Sequence, residues 1–182
     1  MDRIKRISRL FRLLFQLLFV ALPIIYAYGW VIAPKPLIML SHMFVIQVVP
    51  KGLPILHSLT TSTRIYGFLV TLIPVGMTML GLVFLIKLFR LYEQGIIFAS
   101  QAVSCLRRLG YVLLVSQVLQ MVYDLLISLT LTWHNPPIGH RMLMLTITGT
   151  NIAIVLAALL LLLISWIMAE ACKLQAEQQL TI

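Results

Sequence analysis

The sequence predicts an all-α integral membrane protein: a four-helix bundle with both termini in the cytoplasm, a Pro-rich outer loop, and a cytoplasmic helical hairpin between helices 2 and 3. Three observations predict it. Apolar residues make up 61% of the 182 and charged residues 10%, with a mean hydropathy of +1.03, so lipid is the solvent that suits most of the chain. The apolar residues fall into four runs that meet the need for about 20 residues per helical crossing. Ten of the 14 Lys and Arg residues flank those runs on one side of the alternation. The counts are five, four and one (leader, middle loop, tail) against three and one, and this excess puts both ends inside.

The first span, residues 9–32, follows a basic leader (Arg3, Lys5, Arg6, Arg9, Arg12) and ends in Tyr26, Tyr28 and Trp30, an aromatic anchor at the far interface. Its apolar stretch exceeds the roughly 7–15 residues of a secretory signal and lacks a small-x-small cleavage site, so it reads as a retained helix. Residues 33–63 form an outer loop. Pro34, Pro36, Pro50 and Pro54 interrupt them, and the apolar stretch Leu37 to Val49 is short for a crossing, which suits a segment lying along the surface or capping the bundle.

The second span covers 65–86, with Pro74 near its centre, where a kink is expected, and Gly67, Gly76 and Gly81 as places for close helix approach. In the hairpin that follows, Gly95 suits a helix C-cap and Ser100 an N-cap. The third span is 109–132, the fourth 142–168, and the polar tail 169–182 is compatible with helix. The whole chain, 1–182, reads as a single membrane domain.

Residues Leu88-Phe89-Arg90-Leu91-Tyr92, Gly95, Phe98, Leu106-Arg107-Arg108-Leu109-Gly110 and the terminal Glu177-Gln178-Gln179-Leu180-Thr181-Ile182 together resemble the domain of unknown function 2975 family, over roughly Leu59 to Ile182. The resemblance implies a small four-helix protein of a bacterial inner membrane, sometimes encoded beside a small helix-turn-helix regulator, with no established chemistry. Where many members are acidic, at Gln94-Gly95-Ile96, this chain has no second acid.

One intramembrane stripe stands out. Gln117, Gln120, Asp124 and Ser128 are spaced three, four and four apart on the third span, which places them on one helix face. A charged group in the membrane costs about 2.5–3.5 kcal/mol on insertion scales, so Asp124 should face protein, protonated or paired. By helix rise, Asn151 and Thr148 of the fourth span lie near its depth and complete a polar layer. The bland reading of that layer is helix cohesion, with interhelical polar contacts contributing about 0.6–2 kcal/mol; the sharper reading is a ligand or proton site.

A second group gathers in the hairpin: Tyr92, Glu93, Gly95, Arg107 and Arg108, with Glu170, Lys173 and Glu177 of the tail. A salt bridge from Glu93 to an arginine would lock the turn, and the same surface could dock a cytoplasmic partner. His42, His57, His134 and His140 all lie in the outer loops without accompanying acids. They match no local ligand motif and are weak metal candidates. Cys105 and Cys172 form no CxxC pair, which argues against a disulfide or thiolate metal site.

No GxSxG, HExxH or phosphate-loop motif is present, so no enzymatic activity and no cofactor are expected. The cations flank spans and form no basic domain, which argues against direct nucleic-acid binding. The reading that remains is a sensor or interaction subunit whose partners are the lipid bilayer and a cytoplasmic helix-turn-helix regulator. An oligomeric channel or transporter lined by Gln117, Gln120, Asp124 and Asn151 is the alternative, and a purely structural subunit the third; the spacing Gly149 to Ala153 hints at helix pairing in a homo-oligomer.

Overall fold

The computed structural model describes residues 2–31, 61–95, 99–132, 143, 145 and 149–180. Most of the expected outer loop, with its prolines, and all four histidines lie outside these residues, as does Thr148. Four helices run through the described residues: α1 (Asp2–Val31), α2 (Thr61–Glu93), α3 (Ser100–Thr132) and α4 (Gly149–Leu180). Each contains a stretch long and apolar enough to cross a membrane. At about 1.5 Å per residue the 33 residues of α2 or α3 extend roughly 50 Å, well beyond the roughly 30 Å of hydrocarbon. Their charged ends therefore project past the apolar layer.

Helix bounds differ from the hydropathy bounds at both ends of the chain. α1 begins within the basic leader, and α4 runs on through the polar tail to Leu180. α4 is described from Gly149 onward, and Leu143 and Leu145, inside the expected fourth span, are not helical. Hydropathy measures affinity for lipid, which extends into segments that are not helical and stops before helices that continue into water. Both helices with an internal proline, Pro23 in α1 and Pro74 in α2, keep their helical assignment through it. Proline removes one backbone donor there, a loss that tertiary contacts can make good.

The described chain divides into two compact units, Met1–Val20, Met77–Gln117 and Gly149–Ile182 in the first, Ala21–Gly76 and Val118–Thr148 in the second. In the first unit Leu88 of α2 packs with Ala102 and Leu106 of α3, and Leu91, Tyr92, Cys105, Leu161 and Met168 surround them. α3 and α4 meet closely here. A Cβ added at Gly110 would lie 2.8 Å from Leu162 Cγ and 3.3 Å from the Ala158 carbonyl oxygen, so the contact depends on a residue without a side chain.

In the second unit the buried positions recur at helical spacing: Leu22, Tyr26 and Trp30 on α1; Thr63, Gly67, Thr71 and Val75 on α2; Tyr123, Asp124, Ile127, Ser128, Leu131 and Thr132 on α3. The indole of Trp30 lies against Gly67, where any side chain would overlap the ring. Gly76 and Gly149, by contrast, have open space where a Cβ would be, and Gly81 is in ordinary contact range of Leu109. Of the glycines expected to allow close approach on α2, Gly67 is the one that does.

The buried set mixes apolar side chains with hydroxylated ones such as Thr71, Ser128, Thr132 and Ser165, while large apolar residues such as Ile152, Leu156, Leu159, Leu160, Leu163 and Ile167 of α4 are exposed. In water that exposure would be costly. In lipid, apolar surface loses nothing by exposure, while small residues let backbones approach and hydroxyls find partners inside. Those hydroxyls donate to carbonyls one turn back: Thr71 to Gly67 at 2.7 Å, Ser128 to Leu125 at 2.9 Å, Thr132 to Ser128 at 2.7 Å and Ser165 to Leu162 at 2.8 Å.

Candidate functional site

The second unit holds a buried polar group on α3. Asp124 is 5% exposed, although it sits in a largely apolar helix. Gln120, one turn earlier and half-buried, donates from Nε2 to Asp124 Oδ1 at 3.0 Å. The i, i+4 spacing that defines the stripe in sequence is the spacing that allows this bond. Beside Asp124, Tyr123 is fully buried and hydrogen-bonded to Thr71 of α2. Thr71 is thus bonded on two sides, donating to Gly67 while serving the tyrosine, and it ties α2 to α3. Ser128 closes the stripe, fully buried.

Gln117 belongs to the first unit, where its Nε2 donates to Ser116 Oγ at 3.3 Å and its Oε1 is buried without a hydrogen-bond partner among the described residues. Asn151 is half-buried and also belongs to the first unit. The stripe of four residues is thus continuous along α3 but shared between two units, with Asp124 in the second. Tyr123 and Thr71 were not among the expected members. Their types carry no functional signal in an apolar helix, and only folding brings them together.

The first unit holds the charged group. Glu93, the last residue of α2, receives two guanidinium groups from α1: Arg9 Nε donates to Oε1 at 2.8 Å, and Arg12 Nη1 lies 2.8 Å from Oε2. The expected partner, an arginine of the hairpin, is not the one used; two arginines of the leader take the role. Spaced three apart on α1, Arg9 and Arg12 share a face and grip one carboxylate, one oxygen each. The hydrogen bond from Arg9, with the charges of Arg12, Arg9 and Arg90, holds Glu93 below the usual carboxylate range against the opposing effect of desolvation. Rings surround the clasp. Phe11 stacks on Phe89 at 5.3 Å between centroids, Phe15 lies 5.5 Å from Phe89, and Tyr92 meets Phe89 edge-on at 6.0 Å.

α2 ends beside this clasp. Gly95 has a φ of +81°, and its N–H donates to the Tyr92 carbonyl at 3.1 Å while that of Gln94 donates to Arg90 at 3.2 Å. A left-handed glycine ending a helix is the C-cap arrangement expected of Gly95. At the start of α3 the carbonyl of Ala99 accepts from Ala102 and Val103, so Ala99 occupies the N-cap and Ser100 the first helical position. Arg107 is half-buried with its Nε buried and unbonded among the described residues, and Arg108 is exposed. On α4, Lys173 pairs with Glu170 at 3.4 Å within the helix; both are exposed, as is Glu177.

The family model described as protein of unknown function DUF2975 matches residues 48–182, so the match starts somewhat before Leu59 and reaches the same end. No curated protein and no solved structure matches the chain. A match over well over half of the sequence, on a chain with four helices able to span a membrane, shows that this chain belongs to the DUF2975 family.

Proposed function

We propose that this protein is a non-enzymatic sensor or regulatory interaction subunit of a bacterial inner membrane, with both termini, the hairpin around Gly95 and the tail of α4 in the cytoplasm. The observation that carries the reading is Asp124: an ionisable group retained in the buried interior of an apolar helix, bonded to Gln120 and adjoining the Tyr123–Thr71 pair. Such a group is costly in a membrane and by default marks function. The polar reach of α4 beyond the bilayer, with Glu170, Lys173 and Glu177 exposed, supplies a surface for a soluble partner. The basic excess on the leader, hairpin and tail supports the orientation. A channel formed between subunits has less support, because the exposed residues of α3 at the depth of Asp124 are Val118, Met121, Val122 and Leu126, which offer ions no polar path.

Crosslinking in native membranes tests the proposal. The expected result is capture of a helix-turn-helix regulator through the α4 tail, with the yield changed by Asp124→Asn. Capture of copies of this chain alone, joined through α3, would replace it with the oligomeric alternative.

A further inference from the structure

We propose that the guanidinium cluster of Arg9, Arg12 and Arg90 around Glu93 is a binding site for the phosphate headgroup of an anionic lipid. Three permanent positive charges gather about one carboxylate, leaving a local excess of two. Glu93 is 15% exposed and already has a guanidinium within 2.8 Å of each carboxylate oxygen. Arg9 presents its Nε to Glu93 yet keeps 66% of its side chain exposed, and Arg90 is exposed on the same helix end. A guanidinium engaged along one edge still offers the other to a phosphate oxygen.

The depth suits a headgroup. From Leu13 to Val31 α1 carries no charge, roughly 28 Å at 1.5 Å per residue, and α2 carries none from Ile65 to Ile86. Both lengths match the roughly 30 Å hydrocarbon core. Arg12 and Lys87 therefore mark its edge, and Arg9 and Arg90, each three residues beyond it, lie about one turn further out, in the layer of lipid phosphates, with Glu93 three residues past Arg90. Phe11, 41% exposed and stacked on Phe89, stands beside the arginines where the glycerol and upper acyl chain of a bound lipid would lie. Charge above and aromatic surface below fit an amphiphile better than a free anion. The inference needs only that the helices sit in a membrane and is independent of the regulatory role.

The test is a titration of the purified full chain in neutral detergent with short-chain phosphatidylglycerol, read as a rise in melting temperature. Saturable stabilisation is expected, weakened about tenfold or more in Arg9→Gln and in Arg90→Gln, since each removes a charge-assisted bond. Lys173→Gln should bind as the parent does. Glu93→Gln should bind as well or better, because the phosphate then faces arginines with no competing carboxylate; a site that is only a structural clasp would lose its lipid response there. If Arg9→Gln fails to fold, Arg90→Gln carries the test, since the ion pairs of Glu93 with Arg9 and Arg12 both come from α1. Equal stabilisation by phosphatidylcholine or by inorganic phosphate would overturn the proposal, as would an equal loss in Lys173→Gln.

Discussion

Asp124 accepts a hydrogen bond from Gln120 within the second unit, and two substitutions separate what its polarity does. Asp124→Asn keeps an oxygen able to accept from Gln120 Nε2 and removes ionisation. Asp124→Leu leaves that donor without its acceptor inside the protein, at a cost of about 1–3 kcal/mol. Thermal stability in detergent should therefore fall for Leu and stay close to the parent for Asn. A Leu variant as stable as the parent would sink the buried-layer reading, and an Asn variant that folds but loses partner capture would assign the function to the proton. The position of Asp124 on an inward stripe was legible from the spacing of Gln117, Gln120, Asp124 and Ser128. Its neighbours Tyr123 and Thr71 were not, because a tyrosine and a threonine in an apolar helix read the same whether they face lipid or each other.

At the scale of helices, two contacts decide how elements of the first unit meet. Gly110 lets α3 approach Leu162 and Ala158 of α4, so Gly110→Ala should destabilise by about 1–3 kcal/mol through overpacking. Adding Leu162→Ala in the same chain should recover part of that loss, since Leu162 is the side chain the new methyl meets first; no recovery would mean the fixed Ala158 carbonyl dominates. The second contact is the clasp of Arg9 and Arg12 on Glu93. With its pKa held below the usual carboxylate value of about 4.3, Glu93 contributes stability that is fully present above that value and is lost as pH falls through the lower folded one. The melting temperature of Glu93→Gln should lie below that of the parent at neutral pH, and the gap should narrow as pH falls below the usual carboxylate range and Glu93 takes up a proton. A gap independent of pH would mean that the charge of Glu93 is not what joins α1 to α2. Sequence could anticipate that Glu93 pairs with an arginine, but 84 residues separate it from Arg9, and no local pattern selects a leader arginine over one in the hairpin.

For the molecule as a whole, the charge asymmetry makes a topological prediction. Cysteines placed at Lys51 and Asn135 should react with an impermeant thiol reagent in intact cells, while native Cys105 and Cys172 should not. Label on Cys172 without label on Asn135→Cys would reverse the orientation. That four stretches suit a bilayer follows from composition and run length alone, because partition into lipid is a sum over residues and needs no knowledge of neighbours. Helix ends at Gly95 were also legible, since a left-handed turn favours one residue type. Which faces meet was not. In these spans nearly every side is apolar, so hydrophobicity cannot separate lipid-facing from protein-facing positions. That choice rests on the fit of shapes, Trp30 against Gly67 and Leu162 against Gly110, and on the pairing of polar groups far apart in the chain, Thr71 with Tyr123 and Arg9 with Glu93. Such complementarity belongs to pairs of surfaces and comes into being only when the helices pack.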